Sequence, residues 1–444
     1  MFRHGHAKGA VHRDSPADAD RRAILGGVGL GALGLAAGGG AAFVPLVSGA
    51  GSEAFAQSNP APAPASGASS APKGPQLLDY PGKDKGLVLL GDKPLVAETP
   101  EHLLNDDTTP IAKFFVRNNG LSPEESKLGD NWKFVVEGEV DKRLELTVAE
   151  LKSRFKPVTY RMVMECGGNG RSFYQPAARG NPWTNGGAGC AEWTGAALAD
   201  VLREAGLKPE AKFTGHFGGD PHLSGDAKRD AISRGMPIEK ALEPHSLIVW
   251  AMNGEPLPHI HGGPLRLMIP GWPGSLSAKW LTRILVRKDP HDGQGMGGTS
   301  YRVPVKPLIP GTNADGKSDF RDLESMPTRA IITAPANSAK LPAGTRDVAL
   351  RGAAWAGDNT VARVDISADF GQTWTAAQLA APKNRYDWTR WTGQLAVQND
   401  GYYELWVRAT DSRGVDSSAD WPMEGHDPRR THNSATALSS FVCP

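Results

Sequence analysis

The segment VTYRMVMECGGNGR, residues 158–171, constrains this chain more than any other. Val158, Tyr160, Met162, Met164 and Cys166 recur at the two-residue period of a strand with one buried side. Cys166 therefore ends a strand, pointing into the side that strand buries. The chain then breaks into a glycine-rich loop, and Arg171 follows. Glycine lets other atoms approach the backbone closely, so the loop is shaped for a close neighbour. The thiol admits three readings: nucleophile, soft metal ligand, or inert buried hydrophobe. Loop N–H groups and Arg171 near the sulfur would favour the thiolate. Nucleophilic catalysis would also need a histidine base close in space.

Composition removes several alternatives. The 444 residues carry a net charge of +1, which argues against nucleic acid or an anionic membrane as partner. The length suggests two or three domains. Three cysteines, Cys166, Cys190 and Cys443, do not describe a disulfide scaffold. No C-x-x-C-H occurs, so covalent c-type haem is not expected. No C-x-x-C pair suggests a zinc ribbon or an iron–sulfur site. Neither a P-loop nor a strand followed by G-x-G-x-x-G is found, so nucleotide binding is unsupported.

The N-terminus reads as an address. Arg21-Arg22 precede a charge-free Gly/Ala-rich run, and Ala54-Phe55-Ala56 offers small residues for cleavage. Residues 1–56 thus resemble a twin-arginine export signal, with Gly26 where a lysine is common. The alternative is a membrane anchor, because the run is long enough to span. Residues 57–75 form a Pro/Ala/Ser linker.

Two regions follow. Over 76–315 short strands and short helices mix, an α+β pattern. Thr147 and Glu150 predict a capping box at a helix start. Leu198, Val201, Leu202 and Ala205 share one face of a second helix, which Gly206 can end. Over 325–425 the chain alternates with turn signals. Ala362, Val364 and Ile366 are expected inward, Arg363, Asp365 and Ser367 outward. Asp369-Phe370-Gly371 and Asp400-Gly401 mark turns. Such spacing predicts an immunoglobulin-like β-sandwich of about 100 residues.

Two further stretches invite chemistry. FFVRNNG (114–120) ends an apolar run in Arg117, Asn118 and Asn119. PHIHGGPLRLMIPGWPGSLSAKW (258–280) carries His259 and His261, which on a strand would share a face. No carboxylate or third histidine completes a metal set there. Its glycines and prolines shape a close-fitting backbone, and Arg266 with Lys279 suggests a phosphate grip. His216, His222 and His245 carry no motif and read as structural or exposed, and Cys190 and Cys443 as bystanders.

Together FFVRN, ECGGNGR, AEWTG, AMNGEPLPHIHGGPLR and PGWPGSLSAKWL stand in the order and spacing of the sulfite oxidase family of molybdenum enzymes. The resemblance covers roughly residues 80–410. It implies the sulfite oxidase fold: a mixed α/β molybdopterin-binding domain followed by the β-sandwich, which commonly dimerises in that family. It implies one mononuclear molybdenum–molybdopterin cofactor per chain, with Cys166 as metal ligand. Phe115, Val116, Arg117, Asn118, Asn119, Asp220, His261, Arg266, Ser277, Ala278 and Lys279 would contact the cofactor, Arg266 and Lys279 holding its phosphate. Arg117, Arg171 and Arg390 match a cationic substrate pocket, with Trp183 and Tyr301 beside it. Arg390 would reach that pocket from the sandwich. Asn119 departs from the family's histidine, and the chain after about residue 420 departs from its usual ending.

The activity so implied is oxidation of sulfite to sulfate by a periplasmic homodimer with no membrane span in the mature chain. With no haem segment in the chain, a separate c-type cytochrome would accept the electrons, oxygen being the less favoured acceptor. Sulfane dehydrogenation and sulfoxide reduction are the alternatives within the family. A non-enzymatic secreted binding protein is the alternative outside it.

Overall fold

Strand Val158–Glu165 forms as its alternation predicts, and both of its faces are buried. Met162, Met164 and Cys166 pack with Phe114, Phe115 and Trp193 on one side. On the other, Val163 meets Cys190 and, from the C-terminal half of the chain, Ile331, Ala353, Trp355 and Trp388. The one-sided strand read from the sequence is thus corrected: a second domain covers the back of the cysteine strand. The computed structural model describes residues 74–173, 179–297, 300–304, 320–417 and 437–443. The export signal, and all but the last two residues of the linker, lie outside them.

The cysteine strand pairs antiparallel with Ala188–Ala197, Met162 opposite Ala191. That strand pairs in turn with Leu247–Met252, which also carries Arg266–Met268. A second sheet runs in the order Leu144–Thr147, Lys133–Gly138, Leu281–Arg287, Phe213–Gly218, Ser233–Pro237. The two predicted helices stand where expected. Val148–Arg154 starts in the capping box, Glu150 N–H donating to Thr147 Oγ1 at 3.1 Å and Thr147 N–H to Glu150 Oε2 at 2.8 Å. Leu198–Ala205 buries Leu198, Val201, Leu202 and Ala205, and Gly206 ends it at φ +72°. With Ile238–Ala241 these are the α-helices among the described residues, so strands dominate. Phe134, Leu146, Leu151, Val201, Leu202 and Ile284 build the main core between the helices and the second sheet.

The C-terminal domain is a sandwich of two sheets. One runs Arg329–Ala334, Asp347–Trp355, Thr389–Ala396, Gln378–Leu379; the other Ala339–Lys340, Ala437–Cys443, Gly401–Asp411, Val361–Ser367, Thr375–Ala376. Leu350, Val364, Ile366, Trp391, Leu405 and Val407 fill the space between them. Two details correct the sequence reading. Ala362 is exposed, whereas Asp365 and Ser367 are buried. Asp365 tolerates burial because Arg363 Nε donates to it at 2.6 Å and Arg408 lies 3.6 Å away. The sandwich also runs beyond residue 425, since Ala437–Cys443 pairs along Gly401–Asp411, from Gly401 opposite Cys443 to Val407 opposite Ala437.

Polar bonds tie the domains together. Lys240, 7 % exposed, donates to Glu243 at 2.6 Å and, across the junction, to Asp358 at 2.7 Å and the Tyr386 hydroxyl at 2.9 Å. Arg161 grips Asp387 through two bonds, of 2.9 and 2.6 Å. Among the described residues no helix is long and apolar enough to cross a membrane.

Candidate cofactor and substrate site

In front of the cysteine strand lies a cavity. Cys166 is 8 % exposed and opens onto it. Its N–H is held by Gly187 O at 2.8 Å, and Gly168 N–H points at Sγ from 3.4 Å. A backbone donor on sulfur favours the thiolate, the form a soft metal binds. Cys166 is in no disulfide. The loop glycines serve close approach. A Cβ at Gly168 would stand 2.5 Å from the Arg171 guanidinium, and one at Gly167 would stand 3.3 Å from the Tyr301 ring.

The floor of the cavity is cationic. Arg266 is 4 % exposed; Nη1 donates to His261 O at 2.8 Å and Nη2 to Ser277 O at 3.1 Å. Its Nε is buried without a partner, and burial pushes its pKa down to about 9. Lys279 donates to Asn118 Oδ1 and Ile260 O, both at 2.6 Å. Burial, reinforced by Arg266, pushes its ammonium well below the usual lysine range. Behind the wall, half-buried Lys83 reaches Ile111 O and Phe114 O at 2.6 Å and lies 3.1 Å from His261 Nε2. Burial lowers it to about 7. His261 is held well below its ordinary value by burial and by Lys83, so its ring is neutral. Cations so crowded and dehydrated are complementary to a buried anion.

A pterin phosphate fits that description. Arg266 Nε, Trp280 Nε1 and Ser275 Oγ, all buried on the cavity wall, have hydrogen-bonding capacity left unused. Arg266 and Lys279 would hold the phosphate and Cys166 the metal. No group of three His, Cys, Asp or Glu able to hold a metal ion exists among the described residues. Cys166, which lines the cavity, would be the donor the chain supplies.

Tyr301 and Trp280 line the cavity with positive φ, +51° and +47°. That conformation costs an aromatic residue about 1–2 kcal/mol, and such strain gathers at binding sites. Arg117 and Asn119 enter from the segment after Phe115, and the Arg117 guanidinium is tied to the Asn118 carbonyl. Asp220 accepts from Gly120 N–H at 3.1 Å. Burial raises its carboxyl to about 6 despite the opposing pull of Lys279.

The expected residues thus divide. Phe115, Arg117, Asn119, Cys166, Asp220, His261, Arg266, Ser277, Ala278, Lys279 and Tyr301 line one cavity. Val116 packs instead with Leu78, Leu87 and Ile260. Asn118 stands behind the wall, holding Lys279. Trp183 is fully buried, edge-on to Phe115 at 5.9 Å, rather than lining the cavity. Arg171, 6 % exposed, packs over Gly168 and donates to Asn181 O at 3.2 Å, off the cavity wall. Arg390 is furthest from expectation. Its head donates to Leu104 O and Asn105 O at 3.1 Å, so unbonded carbonyls at the domain junction, not the cavity, capture it.

Histidines also moved. His259–His261 is a 3₁₀ turn rather than a strand, which separates the two rings. His261 faces the cavity, while His259 lies against Trp280. His216, read as structural or exposed, is buried and lines the cavity, and burial lowers it to about 3. Lys83 and Arg234 were missed because neither stands in a motif. Neither carried a local signal in the sequence.

A buried thiol faces a cationic cavity, and a β-sandwich backs its strand. The family model for the oxidoreductase molybdopterin binding domain matches residues 121–295, and that for the Mo-co oxidoreductase dimerisation domain matches 321–420. The chain is 32% identical to sulfite oxidase of Gallus gallus over 361 residues, 77% of this chain and 76% of that protein. It is 33% identical to the mitochondrial sulfite oxidase of Drosophila melanogaster, over 72% of this chain and 57% of that protein's length. The sulfane dehydrogenase SoxCD from Paracoccus pantotrophus superposes with a TM-score of 0.64 at 26% identity, covering 82% of this chain and 87% of that one. The chain belongs to the sulfite oxidase family of molybdenum enzymes.

Proposed function

We propose that this protein oxidises sulfite to sulfate and passes the electrons to a separate c-type cytochrome. The observation that carries the reading is one cavity in which Cys166 shares the wall with Arg117, Arg234, Arg266 and Lys279 against one carboxylate, Asp220, among the described lining residues. Such a balance suits an anionic cofactor and an anionic substrate together. Sulfite and water give sulfate, two protons and two electrons. When bound, the molybdenum cofactor supplies the oxygen-atom transfer and takes up the electron pair. Arg266 and Lys279 neutralise the pterin phosphate, Arg117 attracts the substrate anion, and the Tyr301 hydroxyl holds a proton near the reacting atoms. Phe114, Phe115 and Trp280 keep the walls dry, which strengthens each charge interaction.

The mature protein is read as a periplasmic homodimer, delivered through Arg21-Arg22 and joined through its sandwich. Replacing both arginines by lysine is expected to leave the precursor in the cytoplasm, read by cell fractionation. A monomer at micromolar concentration in solution scattering would refute the dimer.

The test of activity pairs molybdenum per chain with sulfite-dependent cytochrome c reduction, in wild type and Cys166→Ser. One molybdenum per chain, with activity lost in the variant, supports the reading. Molybdenum without sulfite turnover moves the substrate to protein-bound sulfane sulfur, a reading favoured by the SoxCD likeness. Absence of molybdenum from the matured protein would sink the enzyme altogether.

A further inference from the structure

Arg234 lies on Ser233–Pro237, the edge strand of the second sheet, directly opposite His216. Cross-strand partners project to the same side of a sheet, and both of these reach the cavity wall. Arg234 is 2 % exposed. Its Nη1 donates to Gly295 O at 2.8 Å, and its guanidinium carbon stands 4.2 Å from the centre of the Tyr301 ring. That ring lies against Gly167, the residue after Cys166. The Tyr301 ring therefore touches both the cysteine loop and the Arg234 guanidinium. Arg266 and Lys279 serve a different part of the cavity, bonded to His261 O and to Asn118.

Stacking on an aromatic face fixes the plane of a guanidinium. A planar fork so held suits the oxygens of a small oxyanion. From sequence the second domain was expected to supply this cation through Arg390, whose head is occupied elsewhere. Asn119 also stands where relatives were expected to carry a histidine, so the wall has lost one ionisable group and carries an arginine at another place.

We infer that Arg234, stacked on Tyr301, is a substrate-binding residue that holds a small sulfur oxyanion beside Cys166 together with Arg117. The inference rests on the proposed sulfite reading for its substrate. The stack itself would bind any small divalent oxyanion, sulfate included.

The test uses molybdenum-loaded wild type, Arg234→Gln and Arg234→Lys. Two quantities are read: KM and kcat for sulfite, and the rise in thermal midpoint with sulfate over chloride at equal ionic strength. Arg234→Gln is expected to raise KM at least tenfold, with kcat within about threefold, and to abolish the sulfate-specific rise. Arg234→Lys, which keeps the charge without the planar fork, should recover part of both. An unchanged KM and an undiminished sulfate effect in Arg234→Gln overturn the inference. If Arg234→Gln does not fold, the lysine variant decides: a purely structural role leaves its KM at the wild-type value and overturns the inference. If loaded wild type does not turn over sulfite, the proposed function fails. Arg234 is then judged by sulfate protection, whose loss in the variant upholds it and whose persistence overturns it. A wild type that neither turns over sulfite nor responds to sulfate overturns both.

Discussion

Arg329 of the sandwich forms an ion pair with Glu165, the residue immediately before Cys166, at 2.5 Å. Both are almost fully buried. Trp355 Nε1 donates to the second Glu165 oxygen at 2.7 Å, and Asn169 Nδ2 donates to the first at 3.0 Å. Arg329 also donates to the Asn169 carbonyl inside the glycine loop. The second domain thus grips the cysteine loop from behind.

Breaking one side of a buried pair strands the other charge, a cost of about 3–5 kcal/mol. Arg329→Ala should lose that much in denaturant unfolding and retain less molybdenum per chain. Arg329→Met with Glu165→Gln should recover part of the loss. A single variant within 1 kcal/mol of wild type would show the pair to be incidental.

Arg390→Ala separates the two domains' roles. Its loss leaves the Leu104 and Asn105 carbonyls without their donor, each worth about 1–3 kcal/mol if buried. Stability should fall by about 2 kcal/mol while KM for sulfite stays at the wild-type value. A large KM effect with unchanged stability would return Arg390 to the substrate pocket.

Cofactor-free protein should show a distinctive pH dependence. Lys83 titrates near 7 when folded against 10.5 as reference. Between those values the unfolded chain binds more protons, so stability rises with pH, by up to about 1.4 kcal/mol per unit. His216, about 3 folded against 6.5, adds the same sign lower down: its contribution is lost as pH falls from 6.5 towards 3. Denaturant titrations of the metal-free protein across pH should show both limbs, and Lys83→Met should flatten the alkaline one. An unchanged alkaline slope in that variant would refute the assignment.

Tyr301→Phe keeps the ring beneath Arg234 and removes only the hydroxyl. Thermal stability should stay within about 0.5 kcal/mol, while kcat for sulfite falls by roughly a hundredfold if the hydroxyl handles a proton in the slow step. Equal kcat in both proteins would assign the tyrosine to packing alone.

Much of the site was legible because its local chemistry is dense. The cysteine strand, the capping box at Thr147 and the amphipathic face of Leu198–Ala205 follow from short-range periodicity. Cys166, Arg117, Arg266 and Lys279 stand in motifs whose residues converge on the cavity. Lys83 and Arg234 were not legible, since a cation without a motif looks like any surface charge. Asp365 was assigned to the outer face because alternation ignores a partner such as Arg408, on another strand.

By itself the sequence determined the strands, the two principal helices, the sandwich class and the place of Cys166 at a strand end. Those depend on residues a few positions apart, where pleat and helix geometry set which side chains share a face. Only the tertiary structure decided which arginines reach the cavity, where the His259–His261 turn sends each ring, and that a second domain buries the back of the cysteine strand. Those outcomes hang on which carbonyl, carboxylate or ring a long side chain meets across hundreds of residues. Sequence spacing carries no record of that meeting.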